Sequence, residues 1–170
     1  KQNATYYLFY TDRGDSDIDD LWELFVTALA YSENSTSENK DHFSRYFDKV
    51  INRKNNNNAK ITMGLYWINP DYFLNLDGRN LWYIYKSGKM PMKLVESLPT
   101  IEDNEKISAD KYFEIIAQLR AYLHSGESAQ KNFKELSFEA WKYSVQVDKE
   151  KKNNEKVHSE REANETALGD

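Results

Sequence analysis

Cysteine is absent from all 170 residues. That removes thiol catalysis, cysteine-based zinc sites and disulfides in one step, and it fits a reducing, cytoplasmic setting. Long apolar runs are also missing. No stretch nears the length needed to span a bilayer, and no signal-peptide pattern opens the chain, so no membrane partner is expected. The first residue is Lys1 rather than Met, which reads as a piece cut from something longer. The three histidines, His42, His124 and His158, lie far apart without an HExxH-type spacing, so no metal is assigned to them. No Gly-x4-Gly-Lys-Ser/Thr loop occurs. Ser87-Gly88-Lys89 lacks both the leading glycine and the following hydroxyl residue. Pro70-Asp71 could open a metal-dependent nuclease motif. The Glu-x-Lys that follows it, Glu150-Lys151-Lys152, falls in a polar stretch that cannot hold an ion on rigid backbone.

Aromatics, by contrast, are abundant and concentrated. Residues Ile61 to Tyr85 (ITMGLYWINPDYFLNLDGRNLWYIY) hold Tyr66, Trp67, Tyr72, Phe73, Trp82, Tyr83 and Tyr85. Each aromatic ring buries a large area, so this run reads as core before it reads as a binding cage. Asn69-Pro70-Asp71 and Asp77-Gly78 divide it. Ile61–Ile68 reads as a buried strand, Pro70 as the start of a helical turn, and Asp77 as the cap of a short helix through about Lys86.

The flanking chain is mostly helical in pattern. Thr5–Thr11 (TYYLFYT) reads as a short strand. Asp15 or Asp17 then caps a helix to about Tyr31, with Ile18, Leu21, Trp22, Leu24, Phe25, Ala28 and Leu29 on one broad apolar face. The acids in its first turns suit the helix macrodipole without any metal. Asp41–Arg53 forms a second helix, and Ser87–Glu105 is irregular around Pro91 and Pro99. Ser108 caps a third helix running to about His124, which Gly126 stops. Ser137 caps a last short helix that leaves Phe138 and Trp141 available for docking. From about Gln146 apolar residues nearly vanish, which reads as linker, disordered tail or solvent-bridging helix. The expected fold class is α+β: one mostly helical domain over 1–145 with a small two-strand element, then a charged linker or tail over 146–170.

Charge is segregated along the chain. The overall net is −5, but residues 1–39 carry −6, residues 40–93 carry +6 and residues 94–170 carry −5. Arg45, Lys49 and Arg53 recur four apart and so line one side of the second helix. Lys54, Lys60, Arg79, Lys86, Lys89 and Lys93 extend the positive middle.

Four segments in order, DRGDSDIDDLWELFVTAL, ITMGLYWINPDYFLNLDGRN, ISADKYFEIIAQLRAYL and FKELSFEAW, resemble the region preceding the AAA+ motor of McrB-type, modification-dependent restriction proteins. The resemblance spans roughly residues 6–144, and TMGLYWINPDYFLNLDGRN is its most specific part. It implies a defence protein acting on DNA. The parent's motor would hydrolyse GTP or ATP with Mg and recruit a separate nuclease subunit. None of the motor's motifs lies in this sequence, so no cofactor is expected here and no catalytic residue is carried over.

Two readings follow. In the first, a non-catalytic module contacts DNA through Arg45, Lys49, Arg53, Lys54, Lys60, Arg79, Lys86 and Lys89, neutralising phosphates in a salt-sensitive way. Tyr66, Trp67, Tyr72 or Trp82 would then stack a modified base. In the second, the chain is a structural or interaction module between the DNA-recognition domain and the AAA+ motor, binding no DNA itself.

Overall fold

The computed structural model describes residues 10–168, with side chains described through residue 158. Among the described residues a 3-10 turn (Tyr10–Asp12) precedes seven α-helices: α1 (Asp17–Glu33), α2 (Ser37–Ile51), α3 (Asn58–Ile68), α4 (Gly78–Tyr85), α5 (Met92–Ser97), α6 (Ala109–His124) and α7 (Phe133–Leu168). No strand occurs among the described residues, so the expected α+β class is corrected to all-helical. Of the first expected strand, residues 5–9 lie outside the described residues, and Tyr10 and Thr11 belong to the 3-10 turn.

The second expected strand, Ile61–Ile68, is most of α3. An apolar run of eight residues has the same composition in a buried strand and in a buried helix, and its neighbours decide. Here Asn57 caps the helix by accepting the Lys60 N–H at 2.9 Å. Ile61, Leu65 and Ile68 then recur at i, i+4 and i+7 toward the core, the first two buried and Ile68 half-buried. A strand would have needed a second strand to satisfy its backbone groups, whereas a helix satisfies them internally. The buried Thr62 hydroxyl donates to Asn58 O and accepts the Leu76 N–H at 2.8 Å, which ties α3 to the loop leading into α4.

Caps set several other boundaries. Thr36 accepts from Asn39 N and starts α2 four residues ahead of Asp41; Asp77 and Ser108 cap α4 and α6 as their sequence context dictates. Asn132, not Ser137, caps the last helix: its Oδ1 accepts the Glu135 N–H at 2.9 Å. Ser137 lies inside α7 and reaches inward to Asn75 and Asn80. Gly126 ends the α6 region at φ +87°, a backbone conformation that glycine adopts without a Cβ penalty.

The core is a layer of rings between α2, α6 and the turn after α3. Phe43 stacks on Phe73 at 5.4 Å between centroids, and Phe47 stacks on Tyr112 at 5.3 Å. Tyr112 is fully buried and donates its hydroxyl to Leu74 O at 2.8 Å, and burial raises its pKa. Each such side chain contributes roughly 1.5–3 kcal/mol through burial. Phe133, Leu136 and Ala140 seat the start of α7, and Tyr143 stacks on Trp82 of α4. The helix then continues through the polar segment from residue 146, where the described side chains, 146–158, are exposed apart from Val147.

Candidate functional site

The basic stripe of α2 meets acids of the same chain. Lys49 Nζ lies 2.6 Å from Asp20 Oδ1. Arg53 places Nε 2.9 Å from Asp17 Oδ1 and Nη2 2.9 Å from Asp20 Oδ2. Both carboxylates are about 5% exposed, while Lys49 and Arg53 are 46% and 34% exposed. Ser16 Oγ also donates to Asp20 Oδ2. Burial alone would raise the Asp20 pKa. The hydrogen bonds from Lys49, Arg53 and Ser16 outweigh it and hold the carboxyl below its ordinary 3.8. The acids in the first turn of α1 therefore clamp the C-terminal end of α2, in addition to suiting the dipole of their own helix.

The other basic candidates are dispersed. Lys60 donates to Asn55 O at 2.7 Å. Lys89 sits 4.5 Å from the centroid of the Tyr143 ring. Arg45, Lys54, Arg79 and Lys86 are exposed on α2, the turn after it, α4 and the end of α4. Nor do the four candidate stacking rings share a cage. Trp67 is 80% exposed on α3, and Tyr66 is half-buried. Tyr72 packs edge-on to Tyr31 with Arg120 over its face, and Trp82 has one face covered by Tyr143. Among the described residues no group of His, Cys, Asp or Glu is arranged to hold a metal, and no helix is long and apolar enough to cross a membrane.

The most distinctive concavity lies between α1 and α3. It measures about 380 Å³ and is lined by Leu21, Trp22, Leu24 and Phe25 from α1 and by Lys60, Ile61, Gly64, Leu65 and Ile68 from α3. The size is within the roughly 300–1,000 Å³ of ligand-sized sites. Trp22 and Phe25 meet edge to face at 5.6 Å and form one wall. Trp22 is 62% exposed, and Phe25 and Val26 beside it are also exposed. Gly64 opens the floor: a Cβ there would meet nothing within 4 Å.

A family model described as "Domain of unknown function (DUF8425)" matches residues 1–143. The chain belongs to that family. The match covers α1 through α6 and the start of α7, so the DUF8425 region contains both the clamp and the groove. No curated protein and no solved structure matches the chain.

Sequence reasoning placed Trp22 and Phe25 on the one broad apolar face of α1 and did not single out Gly64. The apolar residues of α1 span more of its circumference than α2 and α3 cover: Leu24 and Ala28 are buried, while Trp22 and Phe25 flank the groove. A glycine in the middle of an apolar helix was the available signal, because an unexplained helical glycine usually has a packing or functional reason. Phe138 and Trp141 do lie exposed on α7, their rings 5.8 Å apart.

Proposed function

We propose that the chain is a non-catalytic helical module that docks a protein partner through the α1–α3 groove. The observation that carries this reading is the groove itself: an apolar concavity with an exposed tryptophan wall and an open glycine floor. Exposed apolar surface gathered beside a concavity marks an interaction site more often than scattered single residues do. The charge pattern supports the same reading. Lys49 and Arg53, the centre of the basic stripe, already face Asp17 and Asp20, which weakens their pull on phosphate. In the McrB-type setting that the sequence resembles, the candidate partners are the AAA+ motor domain and the separate nuclease subunit.

DNA contact is the second reading, favoured by the exposure of Arg45, Lys54, Arg79 and Lys86. The two separate in one experiment. The motor domain, the nuclease subunit and labelled DNA duplexes, unmodified or methylated, are each titrated with the wild-type chain and with Gly64→Phe. Docking predicts that Gly64→Phe weakens protein binding by about tenfold or more, a loss of about 1.4 kcal/mol, with no DNA binding at low salt. Salt-sensitive DNA binding with no groove-dependent protein binding would transfer the conclusion to the second reading.

A further inference from the structure

Helix α7 runs unbroken from Phe133 to Leu168, and no glycine or proline stands between Gly126 and Gly169 to interrupt it. Its two halves are differently made. The first is anchored: Phe133, Leu136 and Ala140 are buried, Ser137 hydrogen-bonds to Asn75 and Asn80, and Tyr143 stacks on Trp82. The family match ends at residue 143, where that anchor ends, yet the helix continues past it.

Between residues 146 and 158 Val147 and Val157 are the apolar side chains, and they stand ten apart. A stripe at i, i+3, i+4 and i+7, which would lay this stretch on its own domain or into another protein's groove, is therefore missing. Four lysines alternate there with three acids, so a polybasic block for phosphates is missing as well. A helix that is polar all round persists in water only with support from a docked end or from its own side chains. Both are present. The anchored turns supply the nucleus that an isolated helix would have to form alone, and Lys, Glu and Gln lose little rotamer freedom in extending it. Gln146 Nε2 donates to Glu150 Oε1 at 2.9 Å, one turn on. Asp148 with Lys152, and Lys151 with Glu155, place opposite charges four residues apart, against one like-charged pair at that spacing, Lys152 with Lys156.

We propose that α7 beyond residue 143 is a rigid spacer arm: it holds the DUF8425 domain at a set distance and angle from what is attached at its far end, and it takes no partner along its own length. At 1.5 Å per residue, the stretch 146–168 gives a reach of about 33 Å. The arm sets that reach whether or not the α1–α3 groove binds a protein.

The chain has no native cysteine, so pairs of spin labels can be placed on the full-length protein without background. Lys142→Cys with Glu160→Cys spans five helical turns and puts both labels on one face. Glu96→Cys on α5, paired with Glu160→Cys, reads the angle of the arm to the domain. Pulsed electron resonance should give one narrow distance near 27 Å for the first pair and one narrow distance for the second. Asn153→Pro, which leaves the anchored turns untouched, should shorten and broaden both while the thermal melt of the domain stays unchanged. A first-pair distribution already broad without the proline, spread around roughly 21–25 Å as for a coil, would make the segment a flexible tether and overturn the spacer. A narrow first pair with a broad second would leave a stiff helix on a loose joint and overturn it too. So would a concentration-dependent dimer in sedimentation that Asn153→Pro abolishes, because the arm would then be a contact surface.

Discussion

Replacing Asp20 by asparagine tests the clamp between α1 and α2. The carboxylate accepts from Lys49 at 2.6 Å, from Arg53 at 2.9 Å and from Ser16 at 3.1 Å, in a site about 5% exposed. Asparagine keeps the shape, loses the charge and turns one acceptor into a donor that faces cations. Arg53 keeps Asp17, and the half-exposed Lys49 can return to water, so the loss stays below that of a fully buried pair. Hydrogen bonds to charged groups contribute about 1.5–3 kcal/mol, and that is the expected destabilisation at neutral pH. For a domain of this size it corresponds to a drop in Tm of about 3–12 °C. The pH dependence gives a second check. The Asp20 pKa is depressed in the folded state, so its contribution is complete above the ordinary value of 3.8 and is lost as pH falls through the lower folded value. Thermal melts of wild type and Asp20→Asn, followed by circular dichroism, should therefore differ at neutral pH and converge in strong acid. Identical melting at neutral pH, or a gap that persists unchanged in strong acid, would refute the clamp.

Other expectations follow from the same contacts. Gly64→Ala should stabilise the isolated chain by roughly 0.5–1 kcal/mol in urea titration, because the helix gains and nothing is crowded. Tyr112→Phe leaves Leu74 O without its donor and should cost about 1–3 kcal/mol by the same measurement. Burial pushes the Tyr85 phenol up to about 12 from its ordinary 10, so its stabilisation is complete below pH 10 and is lost as pH rises toward 12; Tyr85→Phe should flatten that alkaline limb. Asn80→Ala removes the donor that Ser137 Oγ and Asn75 O share, and hydrogen exchange should show α7 losing protection before α6 does.

Much of the helical frame was legible because caps and periodicity act locally. Ser108, Asp77 and Gly126 mark their boundaries by side-chain or backbone chemistry within a few residues. Ile61–Ile68 was misread because an apolar run carries the same composition in either state, and the deciding features were the Asn57 cap and the absence of a pairing strand among the described residues. The meeting of Asp17 and Asp20 with Lys49 and Arg53 is a tertiary event about thirty residues apart in sequence, so the basic cluster read alone resembled a functional patch and the acidic one only a helix-dipole feature. The groove was hidden for the opposite reason. Trp22 and Phe25 satisfy the apolar pattern of α1, and no pattern within one helix shows how far its neighbours extend over it.

Membership of the DUF8425 family and the all-helical frame leave the α1–α3 groove as the centre of this account. Its most direct test is a titration of the proposed partners, a McrB-type motor domain and its nuclease subunit, onto wild type and Gly64→Phe, read by isothermal calorimetry. The account predicts a heat of binding with the negative heat-capacity change of apolar burial, and about tenfold or greater weakening in the variant. Equal affinity for the two chains would contradict it.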